Sequence, residues 1–509
     1  MDYVRVSNGN LMGLVIRQSI YTTLISYAGA VIGYVNLLYL FPKFLEPEQV
    51  GLLRTIQDAG ILLAPFATFG LAQSIFRFYP QLVKDKASEA GFVSLITLLA
   101  LTGFGIFFIV FKIFETSILS YFETNAKEII QYASVVLWLT LILLITALLE
   151  AYSRSLLKMI FPSLLREVVV RLLLALLVIS YFQGYITYNQ FIISTVLAYL
   201  FCLLLLIGYL YVLKKISFTL NFRILESAKV KSLVIYSSLS FAGTAGMILI
   251  GKIDSMMVSG MLGLAANAVY TTAFYMATII EIPRRAMSQV AMPLIARAFE
   301  KNDTADIKTI YLKTAINQFI IGALLFIGIY INLDTIFSLI PRQEIYEAGK
   351  WVVIIVGIGK LTDMVFGPSS EIIVLSKYYA FNILLLTLLA AVVIVSNNIL
   401  IPIYGINGAA IGSALALISF NVLKYFFIWY KLKMQPFNRD SLKVLIIAML
   451  MLGLNLLIPK FSAILPDIII RSGIITVVFA LLIFYSKATP DGNAFLLKQL
   501  RKLGITRKN

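Results

Sequence analysis

Residues 17–41, 51–79, 89–112, 127–150, 162–182, 188–213, 232–259, 265–294, 309–331, 348–375, 378–400, 406–430, 441–459 and 466–485 form apolar stretches separated by short polar joints. Each is long enough to cross a hydrocarbon core of about 30 Å as a helix. Lipid offers backbone groups no hydrogen-bond partner, so only helices and closed barrels span it. Stretches of this length exclude the roughly ten-residue alternation of a barrel strand. The expected fold is an all-α polytopic membrane protein with about fourteen transmembrane helices. Composition agrees: 13% of residues are charged and 60% are hydrophobic, against about 25% charged in soluble domains.

Charge sets the orientation. With the N-terminus inside, 27 of the 42 Lys and Arg fall in segments that become cytoplasmic and 7 on the opposite side. The positive-inside rule then places both termini in the cytoplasm. The net charge of +17 follows from this topology and from anionic lipid headgroups, so no nucleic-acid partner is expected. The start, MDYVRVSNGN, lacks a cleavable-signal pattern, and the first span is expected to act as its own insertion signal. There is no histidine, and Cys202 is the one cysteine. Ser-His catalysis and histidine-based metal chemistry are therefore disfavoured, and the chain does not read as an enzyme.

The sequence resembles itself at an offset of about 214 to 219 residues. Ser26-Tyr27-Ala28-Gly29 recurs as Ser240-Phe241-Ala242-Gly243, and Tyr211-Val212-Leu213-Lys214 falls on Tyr430-Lys431-Leu432-Lys433. The offset spans six helices, an even number, so both copies insert with the same orientation, as in parallel-repeat transporters. The expected organisation is an N-lobe over residues 1–213, a cytoplasmic linker over 214–231, a C-lobe over 232–431, an extra helix pair over 441–485 and a basic tail over 486–509. Two pseudo-symmetric six-helix lobes would face a central cavity.

Charges inside spans are the candidate functional residues, because a charge at the bilayer centre costs roughly 2.5–3.5 kcal/mol on insertion scales. Arg54 and Asp58 are i,i+4 neighbours, and Lys360 and Asp363 are i,i+3. Each pair can neutralise itself, so structural and substrate roles both stay open. Glu281 reaches Arg284 or Arg285 but hardly both, which leaves one arginine over. Glu150 and Arg154 read as a capped helix end, whereas Arg171 needs a partner. In GKIDSMMVSG, Lys252 and Asp254 lie about 200° apart on a helix and cannot pair with each other. Lys252 is expected to hold either an anionic substrate or a carboxylate such as Asp58. Gly251 and Gly260 flank the motif and allow the helix to loosen there. Asn36, Gln57, Gln73 and Gln289 read as helix bridges or sugar ligands. Pro65, Pro283, Pro293 and Pro368 read as kinks. Arg284, Arg285, Lys252 and Arg54 are thus candidates for binding a substrate anion, and Asp254, Asp58, Lys360 and Asp363 for gating or ion coupling.

Several stretches resemble one family. EPEQVGLLRTIQDAGILLAPFATFGLAQSIFRFYPQL (46–82), Lys252-x-Asp254-Ser255-Met256 with Leu262-Gly263, Tyr270, Ala273 and Pro293, and KLTDMVFGPSSEIIVLSKYY (360–379) are similar to the Wzx-type polysaccharide flippases of the multidrug/oligosaccharidyl-lipid/polysaccharide (MOP) export superfamily. Ala268 departs from the pattern, which expects glycine there. The resemblance implies fourteen helices, no cofactor, and transport of an undecaprenyl-diphosphate-linked oligosaccharide across a bacterial inner membrane. The implied partners are that substrate, membrane lipids and a polysaccharide polymerase with its assembly proteins. A lipid II flippase and a drug/cation antiporter share the fold; the antiporter usually stops near twelve helices. A membrane glycosyltransferase or polymerase needs a larger outer domain or acidic loop than this chain carries.

Overall fold

The computed structural model describes residues 8–219, 227–459, 463–489 and 493. Most of the expected basic tail and the middle of the expected linker, 220–226, lie outside them. Among the described residues the structure is helical, with no strand. The labelled helices are α1 (Asn8–Val35), α2 (Pro47–Thr68), α3 (Leu71–Leu82), α4 (Lys86–Ser120), α5 (Ala133–Ser155), α6 (Val170–Phe182), α7 (Tyr188–Val212), α8 (Ser227–Leu262), α9 (Leu264–Thr278), α10 (Ile282–Glu300), α11 (Thr304–Ile331), α12 (Lys350–Val365), α13 (Ser369–Leu375), α14 (Tyr379–Tyr404), α15 (Ile406–Leu432), α16 (Arg439–Leu454) and α17 (Ile464–Ser486). All fourteen expected spans fall largely on helix. Ten described segments are long and apolar enough to cross a membrane by themselves, and a bent pair over α12 and α13 makes up to eleven. The other three expected spans lie on α8, on 160–182 with its π turn Leu165–Val169, and on 264–300 with its break at Ile279–Glu281.

The chain divides into two compact units, Met1–Ala268 and Val269–Asn509. The division falls inside α9, so α8 belongs to the first unit, where it packs against α2 and α3. The expected lobe boundary through 214–231 comes from repeat symmetry, whereas this one comes from packing.

In the first unit local chemistry fixes the helix ends. Pro47 opens α2, and Glu46 and Gln49 form a capping box around it. The helix stops at Phe69 and Gly70, both left-handed, with φ of 46° and 73°. A Cβ on Gly70 would lie 2.3 Å from the Ser237 carbonyl oxygen of α8, so glycine serves both the turn and the close approach. Asp85 caps α4 by accepting from Ser88 N at 2.8 Å.

In the second unit α16 and α17 dock on α11. Phe319, Ala323 and Ile327 bury against Ile447, Met451, Ile475 and Phe479. Burying a large apolar side chain contributes about 1.5–3 kcal/mol in aqueous bookkeeping; within lipid the gain comes chiefly from close packing. Asp467 and Arg471 form a buried pair at 3.2 Å within α17, and Arg471 also donates to Asn455 Oδ1 at 2.6 Å.

Candidate functional site

Two helix breaks assemble the charged cluster of the second unit. Pro283 has no N–H to offer the Ile279 carbonyl, which in a regular helix would accept from that residue. Ile282 N bonds that carbonyl instead, and the chain tightens over Ile279–Glu281. Glu281, Arg284 and Arg285 sit at this joint. The second break follows Val365. Gly367 has φ of 60°, a Cβ there would come within 2.7 Å of the Ala315 Cβ, and Pro368 follows. The chain bends by 50° between Gln343–Val365 and Ser369–Leu375. Lys360 and Asp363 precede the bend; Ser370 and Glu371 follow it.

Asp363 Oδ2 faces Arg284 Nε at 3.0 Å, and Glu371 Oε1 lies 3.6 Å from Arg284 Nη2. Lys424, on α15, is fully buried. Its Nζ donates to Ser370 Oγ at 2.9 Å, lies 3.7 Å from Asp363 Oδ1 and stands 4.2 Å from the centre of the Phe420 ring. Beside this group, Lys360 Nζ donates to Glu281 Oε2 at 2.6 Å and Arg285 Nε to Glu281 Oε1 at 3.3 Å. Lys360 also faces the Phe274 ring at 5.7 Å. Four cations (Arg284, Arg285, Lys360, Lys424) thus meet three carboxylates (Glu281, Asp363, Glu371), with one positive charge in excess.

The arginines differ. Arg285 is exposed, with 71% of its side chain accessible, against 14% for Arg284. Among the described residues Arg284 makes ion-pair contacts but no directed hydrogen bond. Its Nε has no hydrogen-bond partner despite the 3.0 Å approach of Asp363, and the 3.6 Å contact to Glu371 is too long for one. Glu371 Oε2 is likewise buried without a hydrogen-bond partner. A largely buried guanidinium with five donors is normally satisfied. This one has its charge balanced while its donors stay available to oxygen ligands.

The first unit contains a different arrangement. Lys252 Nζ on α8 donates to Asp58 Oδ1 on α2 at 2.5 Å. Nearby, Thr55 Oγ1 donates to Gly51 O at 2.8 Å, accepts from Asn267 Nδ2 at 2.9 Å and meets Ser259 Oγ at 2.6 Å. All three polar side chains are buried. Arg54 donates to Gln57 Oε1 at 3.2 Å and lies over the Phe41 ring at 5.6 Å. Asp254 is buried two residues beyond Lys252. Elsewhere in this unit Glu150 and Glu167 both take Arg166. Arg171 pairs with Glu167 Oε2 at 2.9 Å and donates to the Gly29 carbonyl.

Several expected pairings change in three dimensions. Lys360 and Asp363 do not neutralise each other; the lysine turns to Glu281 and the aspartate to Arg284. Glu281 pairs with Arg285, so Arg284 is the arginine left over, and Asp363 and Glu371 balance it. Glu150 makes its ion pair with Arg166, in the π turn Leu165–Val169, and not with Arg154. The helix does not loosen at Gly251 or Gly260: α8 runs unbroken through both. Gly260 instead makes room for Tyr121, since a Cβ there would lie 2.1 Å from the ring. Asn36 is a helix bridge, donating to the Arg171 carbonyl at 2.7 Å. Lys424 escaped the sequence reading. Its signal was a lone lysine within the long apolar stretch GAAIGSALALISFNVLKYFFIWY.

A many-spanning helical body with charges gathered at broken helices is that of a polytopic membrane protein. The chain belongs to the polysaccharide biosynthesis protein family, whose sequence pattern matches residues 15–299. Its fold is similar to that of the lipid II flippase MurJ in an inward closed conformation, at 14% identity and a TM-score of 0.73, covering 92% of this chain and 99% of that one. A multidrug resistance MATE family transporter of the MOP superfamily is also similar. Its inward-facing structure gives 15% identity and a TM-score of 0.61, covering 82% of this chain and 98% of that one. Its outward-facing structure gives 15% identity and a TM-score of 0.54, covering 82% and 95%. No curated protein matches the chain in sequence.

Proposed function

We propose that this protein moves an undecaprenyl-diphosphate-linked oligosaccharide across a bacterial inner membrane by alternating access, supplying polysaccharide assembly. Both termini are cytoplasmic in this reading. The lobes over 1–213 and 232–431 are its moving halves, and a polymerase with its assembly proteins receives the product.

The observation that carries the proposal is Arg284, largely buried at a helix break, charge-balanced, and with its N–H donors in no directed hydrogen bond among the described residues. A diphosphate offers the oxygens that such a planar fork binds. The excess positive charge on Lys360 and Arg285, which share Glu281, supports the same anion. Membership of a polysaccharide biosynthesis family favours an oligosaccharide load over lipid II or an organic cation.

The test is reconstitution. Vesicles containing the purified protein are loaded with undecaprenyl-diphosphate oligosaccharide, lipid II or a drug cation, and translocation is measured. The oligosaccharide is expected to move fastest, and Arg284→Ala to slow it by about tenfold or more, as loss of a charge-assisted phosphate contact does. Preferential movement of lipid II or a drug cation would overturn the substrate assignment. Equal rates for Arg284→Ala and wild type would remove Arg284 from the site.

A further inference from the structure

Arg284 is charge-balanced by two carboxylates, so an anion that pairs with it competes with them for the guanidinium. Asp363 is the one with somewhere to go. Its Oδ2 faces Arg284 at 3.0 Å while its Oδ1 already faces Lys424 at 3.7 Å. We propose that Lys424 is a positioning residue of the anion site, which takes over Asp363 when a diphosphate claims Arg284. This rests on the flippase reading above and deepens it.

Three features support the exchange. The Arg284–Asp363 contact lacks the direction of a hydrogen bond, so its release breaks no aligned N–H···O contact. The Lys424 ammonium has three donors, and the structure gives it one hydrogen bond, to Ser370 Oγ. Closing the gap from 3.7 Å to a charge-assisted distance of about 2.8 Å moves the carboxylate by only ~0.9 Å. Lys424 is also fully buried. It cannot turn to water for a partner, so it stays beside Asp363 throughout the exchange.

Charge favours the same assignment. Arg284 and Lys424 balance Asp363 and Glu371. Without Lys424, one arginine would face two carboxylates, and the local charge would oppose a diphosphate. Lys424 therefore allows carboxylates to hold Arg284 in place before substrate arrives without closing the site to it. Glu371, whose Oε2 is buried without a hydrogen-bond partner, stays to orient the guanidinium. The cation is supplied by the neighbouring helix α15 and is absent from the turns that carry Arg284 and Asp363.

The experiment uses purified full-length protein in detergent micelles, with geranylgeranyl diphosphate as the probe. Wild type is expected to bind it, and Lys424→Met to bind about tenfold more weakly, within the 5–150-fold range of linked sites. Adding Asp363→Asn to Lys424→Met removes the carboxylate that needed a new partner, and binding is expected to recover toward wild type. In an Asp363→Asn background the Lys424→Met change should affect affinity far less than it does in wild type. That comparison also serves if the single Lys424→Met protein fails to fold. Wild-type affinity in Lys424→Met would overturn the exchange, as would a tenfold effect of Lys424→Met that persists in the Asp363→Asn background. Absence of probe binding by wild type would overturn the anion-site reading beneath it. An equal response to geranylgeraniol, which lacks the diphosphate, would do the same.

Discussion

In the first unit Lys252 and Asp58 meet at 2.5 Å, and Thr55, Ser259 and Asn267 close a buried hydrogen-bonded chain. In the second unit Arg284 is held between two carboxylates without a directed hydrogen bond, and Lys424 waits 3.7 Å from one of them. The first cluster ties α8 to α2. The second is gathered at two helix breaks and carries an excess cation. Buried charge has opposite uses here: a closed pair holds helices together, while an incompletely bonded one keeps donors available. Loss of charge should therefore be felt as stability in one unit and as transport in the other.

The largest stability effect is expected from Lys252→Met. It leaves Asp58 buried without this ammonium; breaking a fully buried pair costs about 3–5 kcal/mol, and with Lys252 22% exposed the loss should fall at or below the lower end of that range. Replacing both partners, as Lys252→Met with Asp58→Leu, should restore most of that loss, because the stranded charge is gone. Arg284→Met alone would strand Glu371, which has no other ion-pair contact among the described residues; combined with Glu371→Gln it should cost less than about 2 kcal/mol, since Asp363 keeps Lys424 and no directed hydrogen bond is lost. Denaturant unfolding in detergent reads both. A Lys252→Met protein as stable as wild type, with export lost, would reverse the comparison and make Lys252 a substrate ligand.

Next in size is Gly260→Ala. The new Cβ would collide with the Tyr121 ring, and overpacking of this kind costs about 1–3 kcal/mol. Tyr121→Ala in the same protein should relieve most of it. If Gly260→Ala is neutral for stability but impairs transport, α8 bends at that glycine during the cycle, and the first unit is less static than its bonding implies.

Thr55→Val should be milder, near the lower end of the about 1–3 kcal/mol that leaving buried polar partners unsatisfied costs. The corresponding change in the second unit, Ser370→Ala, removes the hydrogen bond to Lys424. It leaves a fully buried ammonium with the 3.7 Å Asp363 contact and the Phe420 ring, so it should lower stability about as much as Thr55→Val and disturb transport more. Equal ratios of stability loss to transport loss in the two variants would abolish the distinction between the units.

Much of this was legible in the sequence. Apolar length alone gave the helical spans, since lipid admits few other structures. Pro283 and Pro368 marked the breaks, and Arg284, Arg285, Lys360 and Asp363 were visible as charges in apolar runs. Their pairing was not. Spacing along one helix favours Lys360 with Asp363, but the bend after Val365 and the joint before Ile282 bring nearer partners from other segments. Lys424 was hidden for a related reason: one lysine on an apolar helix acquires meaning only through Ser370 and Asp363, which lie more than fifty residues away in sequence. Gly260 shows the reverse error, because a glycine beside charges suggests a hinge, whereas its use is room for an aromatic ring.

The smallest expected effect sets the conditions for every other measurement. Each unit has a carboxylate outside the membrane-spanning segments whose pKa lies below its ordinary value. The Ser88 backbone N–H lowers that of Asp85 at the start of α4, helped by the Ser88 hydroxyl. The Lys350 ammonium lowers that of Glu347, helped by Gln343. A group with a depressed folded pKa adds stability above its unfolded value, and that contribution disappears as pH falls through the folded one. Both contributions should be constant at neutral pH and fade below about pH 4. Asp85→Asn keeps an oxygen for the cap but removes the charge-dependent part, so it should lower the neutral plateau of the stability curve slightly and flatten its acid limb, leaving stability at low pH nearly unchanged. Glu347→Gln should do the same for the second. If either substitution shifts stability at pH 7 as much as Thr55→Val does, peripheral caps and pairs rival the buried clusters. The contrast between the two units would then have to be sought in transport alone.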